Sequence, residues 1–276
     1  MLPENISAAD IIEQAIRARL TARAKRPLVV GVCGSQGSGK STVCKTLAER
    51  FTQAGCKVAN LSIDDLYLPL ADREKLAKHV HPLLGTRGVP GTHDTKLGVH
   101  TLHALAHGGP VPLPRFDKAR DDRRPKEEWD VVEGPVDLVL LEGWCVGTRP
   151  QTLGALDQPV NQLEANEDVG GRWRRYVNDA LASEYQSLFA KFDVLVLLAA
   201  PSFDVVLKWR TQQEHELRAK SAGRGSKVMS DAEIARFIQH YERLTRHTLI
   251  EMPGRADLVI RLSPERTVLG HVANPV

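Results

Sequence analysis

The sequence is poor in the features that mark several classes of protein. Cysteine occurs only four times in 276 residues, and the four positions lack the spacing of metal ligands. No apolar run approaches the roughly 20 residues that a membrane-spanning helix needs. Aromatic residues make up only 5% of the chain. We therefore expect buried, reduced thiols, and neither a cysteine-based metal site nor a transmembrane helix.

An excess of charge of one sign is also missing. The formal net charge is +3, and the basic residues are spread along the chain. This balance predicts no nucleic-acid partner and no membrane partner, whereas an anionic small molecule needs only a local basic pocket. The first residues, MLPENISAADIIEQ, carry acidic side chains where a signal peptide needs basic and apolar ones. Together with the thiols, this predicts a cytoplasmic protein.

What the chain does contain is an alternation of strand-like and helix-like segments. Near-continuous apolar runs are typical of strands covered on both faces, and such an alternation predicts a parallel sheet between helices. We therefore predict one α/β domain over residues 1–276, with a five-stranded parallel sheet, helices on both faces and an N-terminal helix within residues 1–26. The predicted strands are 27–34, 57–65, 136–143, 192–201 and 256–263, and the main helices are 7–22, 41–55, 168–191, 203–222 and 230–249.

The connection between the second and third predicted strands is unusually long. Residues 71–135 are rich in proline, glycine and histidine, and only a short helix near 96–107 interrupts them. A stretch of this length exceeds an ordinary connection between elements of a compact domain. We predict that it is an inserted substrate-binding region.

A glycine-rich segment links the first predicted strand to the following helix. It reads GSQGSGKST and fits the pattern G-x-x-x-x-G-K-[ST] in the strand–loop–helix setting that the pattern requires. Backbone N–H groups in such a loop close around phosphate oxygens, and the helix N-terminus adds positive potential. Lys40 can reach the β- and γ-phosphates, and the Ser41 hydroxyl can bind Mg²⁺. The predicted site for ATP with Mg²⁺ comprises Gly34, Ser35, Gln36, Gly37, Ser38, Gly39, Lys40, Ser41 and Thr42.

Three acidic residues lie where the predicted strands end. Ligands of an open parallel sheet bind beyond the carboxyl ends of its strands, so Asp64, Asp65 and Glu142 are candidates, whereas Asp137 and Asp193 begin their strands. Glu142 is expected to contact Mg²⁺ directly or through its ligands. Asp64 and Asp65 are adjacent and face opposite ways in an extended chain, so only one should point at the γ-phosphate. If the protein transfers phosphate to an alcohol, it needs a base or an orienting group at the hydroxyl. The pattern alone does not decide which of the two aspartates has this role.

These segments together resemble the phosphoribulokinase, uridine kinase and pantothenate kinase group of P-loop kinases, and within it D-glycerate 3-kinase and its kinase-like relatives. The likeness runs in order from residue 31 to about residue 245. Phe116 departs from the tyrosine common among those proteins, and residues 151–172 match no segment of theirs. The matching segments are SIDDLYL at 62–68, RGVPGTHD at 87–94, PRFDK at 114–118, LEGW at 141–144 and WRTQQE at 209–214.

The resemblance implies a fold, an activity and several residue roles. It implies a three-layer P-loop NTPase sandwich with a helical lid at 203–230, and transfer of the γ-phosphate of ATP to a hydroxyl of a small molecule, with D-glycerate as the substrate. It selects Asp64 as the catalytic aspartate, acting with Lys40. The lid helix would offer Arg210 and Arg218 to the moving phosphate. The implied metal site consists of Ser41, Asp64 and Glu142.

The middle region supplies polar side chains for an anionic alcohol. Arginine binds a carboxylate with two parallel hydrogen bonds, and acidic side chains can hold hydroxyl groups. The candidate substrate residues are Tyr67, Arg87, His93, Asp94, Arg115, Asp117, Lys118 and Arg123.

Two other functions remain open at this point. One is phosphorylation of a different alcohol, by a uridine- or pantothenate-type kinase. The other is a regulatory ATPase that drives a partner. The chain shows no second arginine-finger domain, no nucleic-acid patch and no switch-like motif, and an aspartate followed by Tyr67 suits an alcohol acceptor better than water. These observations favour the kinase.

Overall fold

The segments predicted as strands form a parallel sheet at the predicted places. We describe a computed structural model, which covers residues 6–22, 27–220 and 229–274, without the side chains of 217–220. In the first and third of these strands, as they form at Leu28–Gly34 and Leu138–Gly143, every residue is buried, so both faces of the sheet are covered at its centre. The strands are β1 (Leu28–Gly34), β2 (Val58–Ser62), β3 (Gly109–Leu113), β4 (Phe116–Asp117), β5 (Asp122–Arg123), β6 (Asp130–Gly134), β7 (Leu138–Gly143), β8 (Val194–Ala199), β9 (Leu258–Leu262) and β10 (Val268–Ala273).

The main sheet has six strands, in the order β10-β9-β8-β1-β7-β2. The predicted count of five is wrong, because β10 adds an edge strand that runs antiparallel to β9. Its sequence, VLGHVA, is mostly exposed and lacks the apolar run that identified the other strands. The five predicted strands themselves pair in parallel, so the α/β class is confirmed and the sheet is mixed.

The helices follow the predicted order with one division. The predicted helix 168–191 is divided by a π-helical turn at Leu181–Tyr185, and a further short helix lies before it. The last long helix begins at a capping box in which Ser230 and Glu233 bond to each other's backbone N–H groups. The helices are α1 (Ala8–Ala22), α2 (Lys40–Gln53), α3 (Leu70–His79), α4 (Thr95–Ala106), α5 (Gln162–Glu167), α6 (Arg172–Ala180), α7 (Gln186–Phe189), α8 (Phe203–Lys220) and α9 (Asp231–Glu251).

The region between β2 and β7 folds into two helices and two small antiparallel ribbons. Helix α4 confirms the short helix predicted near 96–107, whereas α3 was not predicted because its sequence, LADREKLAKH, has almost no apolar face. Strand β3 pairs with β6, and β4 pairs with β5. The second ribbon carries a tight turn that projects Lys118 toward the end of β2.

Residues 151–172, which match no motif, pack against α9. Arg243 makes a bidentate ion pair with Glu164 at 2.7 and 2.6 Å, and the Glu164 side chain is fully buried. The amide of Asn161 donates to the Gln239 carbonyl at 2.9 Å. A buried charged pair of this kind holds one geometry, because breaking it leaves an uncompensated charge. The segment therefore fixes α9 against the body of the protein.

The cysteines are free, and Cys33, Cys44 and Cys145 are buried, as predicted. Burial raises the pKa of the Cys33 thiol to about 12, so this thiol stays protonated and unreactive. Among the described residues, no helix is both long and apolar enough to cross a membrane.

Candidate active site

The strand register places three candidate groups side by side. Glu142, near the end of β7, is paired in the sheet with Val32 of β1 on one side and with Ser62 of β2 on the other. The loop that follows β1 and the turn that follows β2 therefore flank Glu142. All three meet at the carboxyl edge of the sheet, where a parallel α/β sheet binds its ligands.

The loop after β1 has the backbone of a phosphate cradle. Gly37 and Gly39 have φ values of +79° and +86°, a left-handed conformation that other residues rarely adopt. A Cβ atom on Gly37 would lie 2.4 Å from the Cβ of Trp209, so the loop also needs glycine for space. The hydroxyls of Ser35 and Ser38 are buried and have no hydrogen-bond partner among the described residues. Phosphate oxygens are the partners that this arrangement fits.

The residues after the loop suit a magnesium ion. The Ser41 hydroxyl donates to Oε1 of Glu142 at 2.8 Å, while Oε2 of this buried carboxylate has no hydrogen bond in the described part of the chain. Lys40 lies 4.0 Å from Oε2. The described residues contain no cluster of three histidine, cysteine or acidic ligands. Magnesium beside a nucleotide takes one or two protein oxygens together with phosphate oxygens and waters, so the pair fits.

Asp64 lies on a short turn, Ile63–Leu66, directly after β2. Its Oδ1 accepts a hydrogen bond from the Tyr67 hydroxyl at 2.7 Å, and its Oδ2 lies 2.7 Å from the ammonium group of Lys118. Burial by itself would raise the pKa of the Asp64 carboxyl, but the charge and hydrogen bond of Lys118 outweigh it and lower the pKa to about 2. Asp64 is therefore an ionised carboxylate in the cavity wall.

Asp65 has a different environment from its neighbour. Its carboxylate accepts hydrogen bonds from the backbone N–H of Ser62 at 3.2 Å and of Phe116 at 3.4 Å, and it lies 3.5 Å from Arg115. The first contact completes a capping box at the start of the turn. Asp65 thus caps the turn and ties the β4–β5 ribbon to it, while Asp64 alone faces the cavity. The strand predicted to run to residue 65 ends at Ser62, and the turn that replaces its last residues forms this cap.

The loop, Asp64 and the two last long helices enclose a cavity of about 460 Å³. Besides Lys40, Asp64 and Glu142, its wall contains three more cations, each paired with an acidic side chain of the protein. These pairs are Arg87 with Asp121, Lys118 with Asp64 at 2.7 Å, and Arg210 with Glu214 at 2.6 Å. The cavity is lined by Gln36, Gly37, Lys40, Ser41, Asp64, Tyr67, Arg87, Lys118, Glu142, Trp144, Arg210, Gln213, Glu216, Phe237 and Tyr241.

Two predicted substrate residues instead hold the inserted region together. Asp94 caps α4 by accepting from the Leu97 N–H at 2.9 Å, and it pairs with Arg123 at 3.3 Å. Arg123 also donates to the Tyr67 carbonyl at 2.9 Å. Neither side chain lines the cavity. Their assignment to the substrate stays a prediction that the geometry does not support.

Two more candidates lie at the ribbons. Arg115 bonds to Asp130 at 2.8 Å, and Asp117 accepts from the Ala119 N–H at 2.9 Å in the turn between β4 and β5. Neither lines the cavity, so their role also stays a prediction. The side chain of Arg218 lies outside the described residues.

His93 lies behind Tyr67 rather than in the cavity wall. The two rings stack with centroids 4.6 Å apart, and Nδ1 of His93 lies 2.6 Å from the Tyr185 hydroxyl. Burial lowers the pKa of His93 to about 4, so the ring is neutral at pH 7. His93 therefore supports the ring whose hydroxyl bonds to Asp64.

The aromatic part of the wall was missed by the sequence analysis. Phe237 and Tyr241 lie four residues apart on α9, and Trp144 follows β7. A spacing of four residues on a helix is typical of side chains that face the core, so nothing in the pattern distinguishes these two from buried packing residues. For Trp144, its place directly after Glu142 and Gly143 was the available signal.

A second cavity, of about 870 Å³, lies on the other side of the phosphate-binding loop. Ser38 and Gly39 line it from the loop, and Thr42 and Val43 line it from α2. The beginning of α1 and the turn between β9 and β10, including Arg266, close it. The loop therefore has a cavity on each side.

Comparison with known proteins agrees with this geometry. The family model described as methylmalonyl Co-A mutase-associated GTPase MeaB matches residues 2–67, which contain the phosphate-binding loop but less than half of the chain. The chain is 36% identical over 231 residues to "Uncharacterized kinase mug58" of Schizosaccharomyces pombe, covering 78% of this chain and 79% of that protein.

Two further proteins extend the comparison. The chain is 33% identical over 225 residues to the chloroplastic D-glycerate 3-kinase of Arabidopsis thaliana, covering 78% of this chain and 46% of that protein. The solved structure of the YGR205w protein superposes with a TM-score of 0.78 at 26% identity, covering 99% of this chain and 100% of that one. The chain belongs to the group of P-loop kinases that contains these proteins, and it is an ATP-dependent kinase of small molecules.

Proposed function

We propose that this kinase transfers the γ-phosphate of ATP to a hydroxyl group of D-glycerate or an equally small hydroxy acid. The observation that carries the proposal is that one cavity contains Lys40 of the phosphate-binding loop, the carboxylate of Asp64 and the guanidinium of Arg87. These are a phosphate ligand, a hydroxyl ligand and a carboxylate ligand. The plant relative that is named D-glycerate 3-kinase supports this acceptor.

ATP would bind across the phosphate-binding loop. Residues 34–42 would hold its phosphates, and the second cavity, on the other side of the loop beside Thr42 and Arg266, would take the nucleoside. Ser41 and Glu142 would hold Mg²⁺, which neutralises phosphate charge when bound. Both carboxylate oxygens of Asp64 already have partners, so Asp64 is a weaker candidate for a metal ligand than these two.

The transfer would occur in the cavity between Asp64 and the loop. The acceptor hydroxyl oxygen attacks the γ-phosphorus, the bond to the β–γ bridging oxygen breaks, and ADP leaves. The hydroxyl proton passes to Asp64. In the protein without substrates the pair with Lys118 lowers the pKa of Asp64 to about 2, so the carboxylate is ionised and ready to accept the hydroxyl hydrogen bond and to aim the oxygen at phosphorus. Lys40 and Arg210 would stabilise the charge on the moving phosphoryl group.

The acid end of the substrate would bind Arg87. Of the three arginines proposed from the sequence for this role, Arg87 alone lines the cavity, while Arg115 and Arg123 bond to acids elsewhere. Its present partner, Asp121, is more than one-third exposed and can be replaced by a substrate carboxylate. Lys118 would move from Asp64 to the phosphate or the substrate when both bind.

Helix α8 would form the moving wall. Arg210, Gln213 and Glu216 line the cavity from this helix, which supports the part of the proposed lid at 203–230 that lies in α8; residues 221–228 of it lie outside the described residues. A lid that closes over both substrates excludes water and so favours the alcohol over hydrolysis. The rest of the chain would act as one domain, with residues 71–135 as its acceptor-binding part. The cytoplasmic location stays a prediction.

The test is an acceptor screen combined with arginine variants. We expect D-glycerate to be phosphorylated faster than pantothenate, uridine or ribulose 5-phosphate. Arg87→Ala should weaken the apparent affinity for D-glycerate by about 2–4 kcal/mol, a rise in KM of about 30-fold to several hundredfold, because the charge of the substrate loses its partner in a closed site. Arg123→Ala is the matched control and should leave this KM within about threefold. If D-glycerate is not phosphorylated but uridine is, the proposed acceptor is refuted, whereas the assignment as a kinase stands.

A further inference from the structure

The residue proposed to bind the acid lies in a segment with little backbone hydrogen bonding of its own. We name residues 86–91 the anchor loop; it consists of bends and a turn, without helix or strand. Gly88, at its centre, is buried and has a φ of +135°. No ladder holds this loop, so side chains set its position. The Thr92 hydroxyl, directly after the loop, accepts from the Gly88 N–H at 3.0 Å and donates to the Val89 carbonyl at 2.7 Å, and side chains from other elements hold the loop as well.

Two aromatic side chains of the cavity wall bond to consecutive carbonyl groups of the anchor loop. The Tyr241 hydroxyl donates to the Arg87 carbonyl at 3.1 Å, and the Trp144 indole N–H donates to the Gly88 carbonyl at 2.8 Å. The two rings contact each other edge to face, with centroids 4.9 Å apart. Both are almost fully buried, so water does not compete for these bonds.

The approach of Tyr241 to the loop is as close as packing allows. A Cβ atom on residue 88 would lie 2.1 Å from the Tyr241 hydroxyl oxygen, so any side chain there would displace it. Burial raises the pKa of the Tyr241 hydroxyl, which therefore stays a donor at neutral pH. Glycine at position 88 and tyrosine at 241 thus form one matched contact.

The helix that carries Tyr241 is held firmly in place. It lies two residues before Arg243, whose buried pair with Glu164 fixes α9. At the other end of the contact, the Arg87 side chain lies over the Phe116 ring at 5.5 Å. The main chain of Arg87 is therefore held from α9, and its guanidinium is guided by the β4–β5 ribbon.

We propose that Tyr241, together with Trp144, is a positioning residue for the acceptor acid: it holds the carbonyl of Arg87 so that the guanidinium faces the cavity. This rests on the proposed function, in which Arg87 binds the substrate carboxylate. Since a bidentate carboxylate contact needs correct distance and angle at two nitrogens, a displaced loop weakens acceptor binding before it affects the phosphates.

The test compares two tyrosine-to-phenylalanine variants, each of which removes one hydroxyl oxygen. Tyr241→Phe should raise the KM for D-glycerate about threefold to tenfold, the range for one lost hydrogen bond, with kcat and the KM for ATP within about twofold. Tyr176→Phe is the matched control, since its ring touches the same loop at Gly91 but its hydroxyl has no hydrogen bond among the described residues. It should leave all three constants unchanged.

The double variant Arg87→Ala/Tyr241→Phe decides whether Tyr241 acts through Arg87. In the Arg87→Ala background the further effect of Tyr241→Phe on this KM should disappear, because coupled residues are not additive. An equal rise in both backgrounds would overturn the positioning role. So would an unchanged KM in Tyr241→Phe beside a raised KM in Arg87→Ala. An unchanged KM in Arg87→Ala itself would refute the proposed function and, with it, this inference.

Discussion

The two ends of the cavity are built in different ways. The proposed phosphate end comes mainly from nine consecutive residues, 34–42, and in a loop of this pattern the phosphate ligands are chiefly backbone N–H groups. The proposed acceptor end is assembled from four separate parts of the chain, which contribute the side chains of Asp64, Arg87, Trp144 and Tyr241 to the cavity wall. A short stretch of sequence therefore specifies the first end, whereas the second depends on the whole fold.

This difference should appear first in variants of the phosphate end. Lys40→Ala should abolish detectable transfer, a fall of about 10³ or more, because a fixed charge at the phosphates is lost. The melting temperature should change little, since Lys40 contributes charge and not packing. Kinase rate and a melting curve measure both. Lys45→Ala, on the exposed side of the same helix, is the control; near-normal turnover of Lys40→Ala would contradict the assignment of the loop.

The adjacent aspartates sharpen the comparison within the acceptor end. Asp64→Asn should lower kcat by about 10²–10⁴, because the group that orients the hydroxyl is lost, while ATP binding weakens less. Asp65→Asn should affect kcat much less and should cost about 1 kcal/mol of stability, because it weakens a cap. Kinetics and denaturant unfolding of the two variants separate these effects. Exchanged behaviour would show that the wrong aspartate has been chosen.

The same contrast explains what could be predicted from the sequence. The pattern of residues 34–42 is enough to predict a phosphate-binding loop. Apolar runs in the sequence predicted five of the six strands of the main sheet. Asp65 and Asp94 cap a turn and a helix. The sequence could not distinguish this role from ligand binding, because an aspartate at the start of a turn or helix can serve either purpose. Tyr241 was missed because its contact with Arg87 joins residues 154 positions apart.

A buried ion pair tests how strongly residues 151–172 hold α9, the helix that carries Tyr241. Glu164→Gln should lower the free energy of unfolding by about 3–5 kcal/mol, because the Arg243 charge is left without a partner in the interior. Glu167→Gln, whose pair with Arg236 is exposed, should cost less than about 1 kcal/mol. Urea unfolding measures both. Equal costs would contradict the view that residues 151–172 fix α9.

His93 offers a smaller effect, on the dependence of stability on pH. Its pKa is about 4 in the folded protein against 6.5 for an ordinary histidine, so the unfolded chain binds a proton that the folded protein does not. Stability should therefore fall as the pH drops from 6.5 to 4, by about 3 kcal/mol at most from this group. His93→Gln should show a shallower fall in melting temperature than wild type; parallel curves would contradict the buried neutral ring.

The central claim is that both ends of the cavity act on one phosphoryl group. The direct measurement is a single turnover with γ-labelled ATP and D-glycerate, followed by separation of the labelled products. We expect label in a phosphorylated hydroxy acid, with little inorganic phosphate, and none of this product from Asp64→Asn on the same time scale. Label found only in inorganic phosphate, at a rate that does not respond to D-glycerate or to the other alcohols, would contradict it.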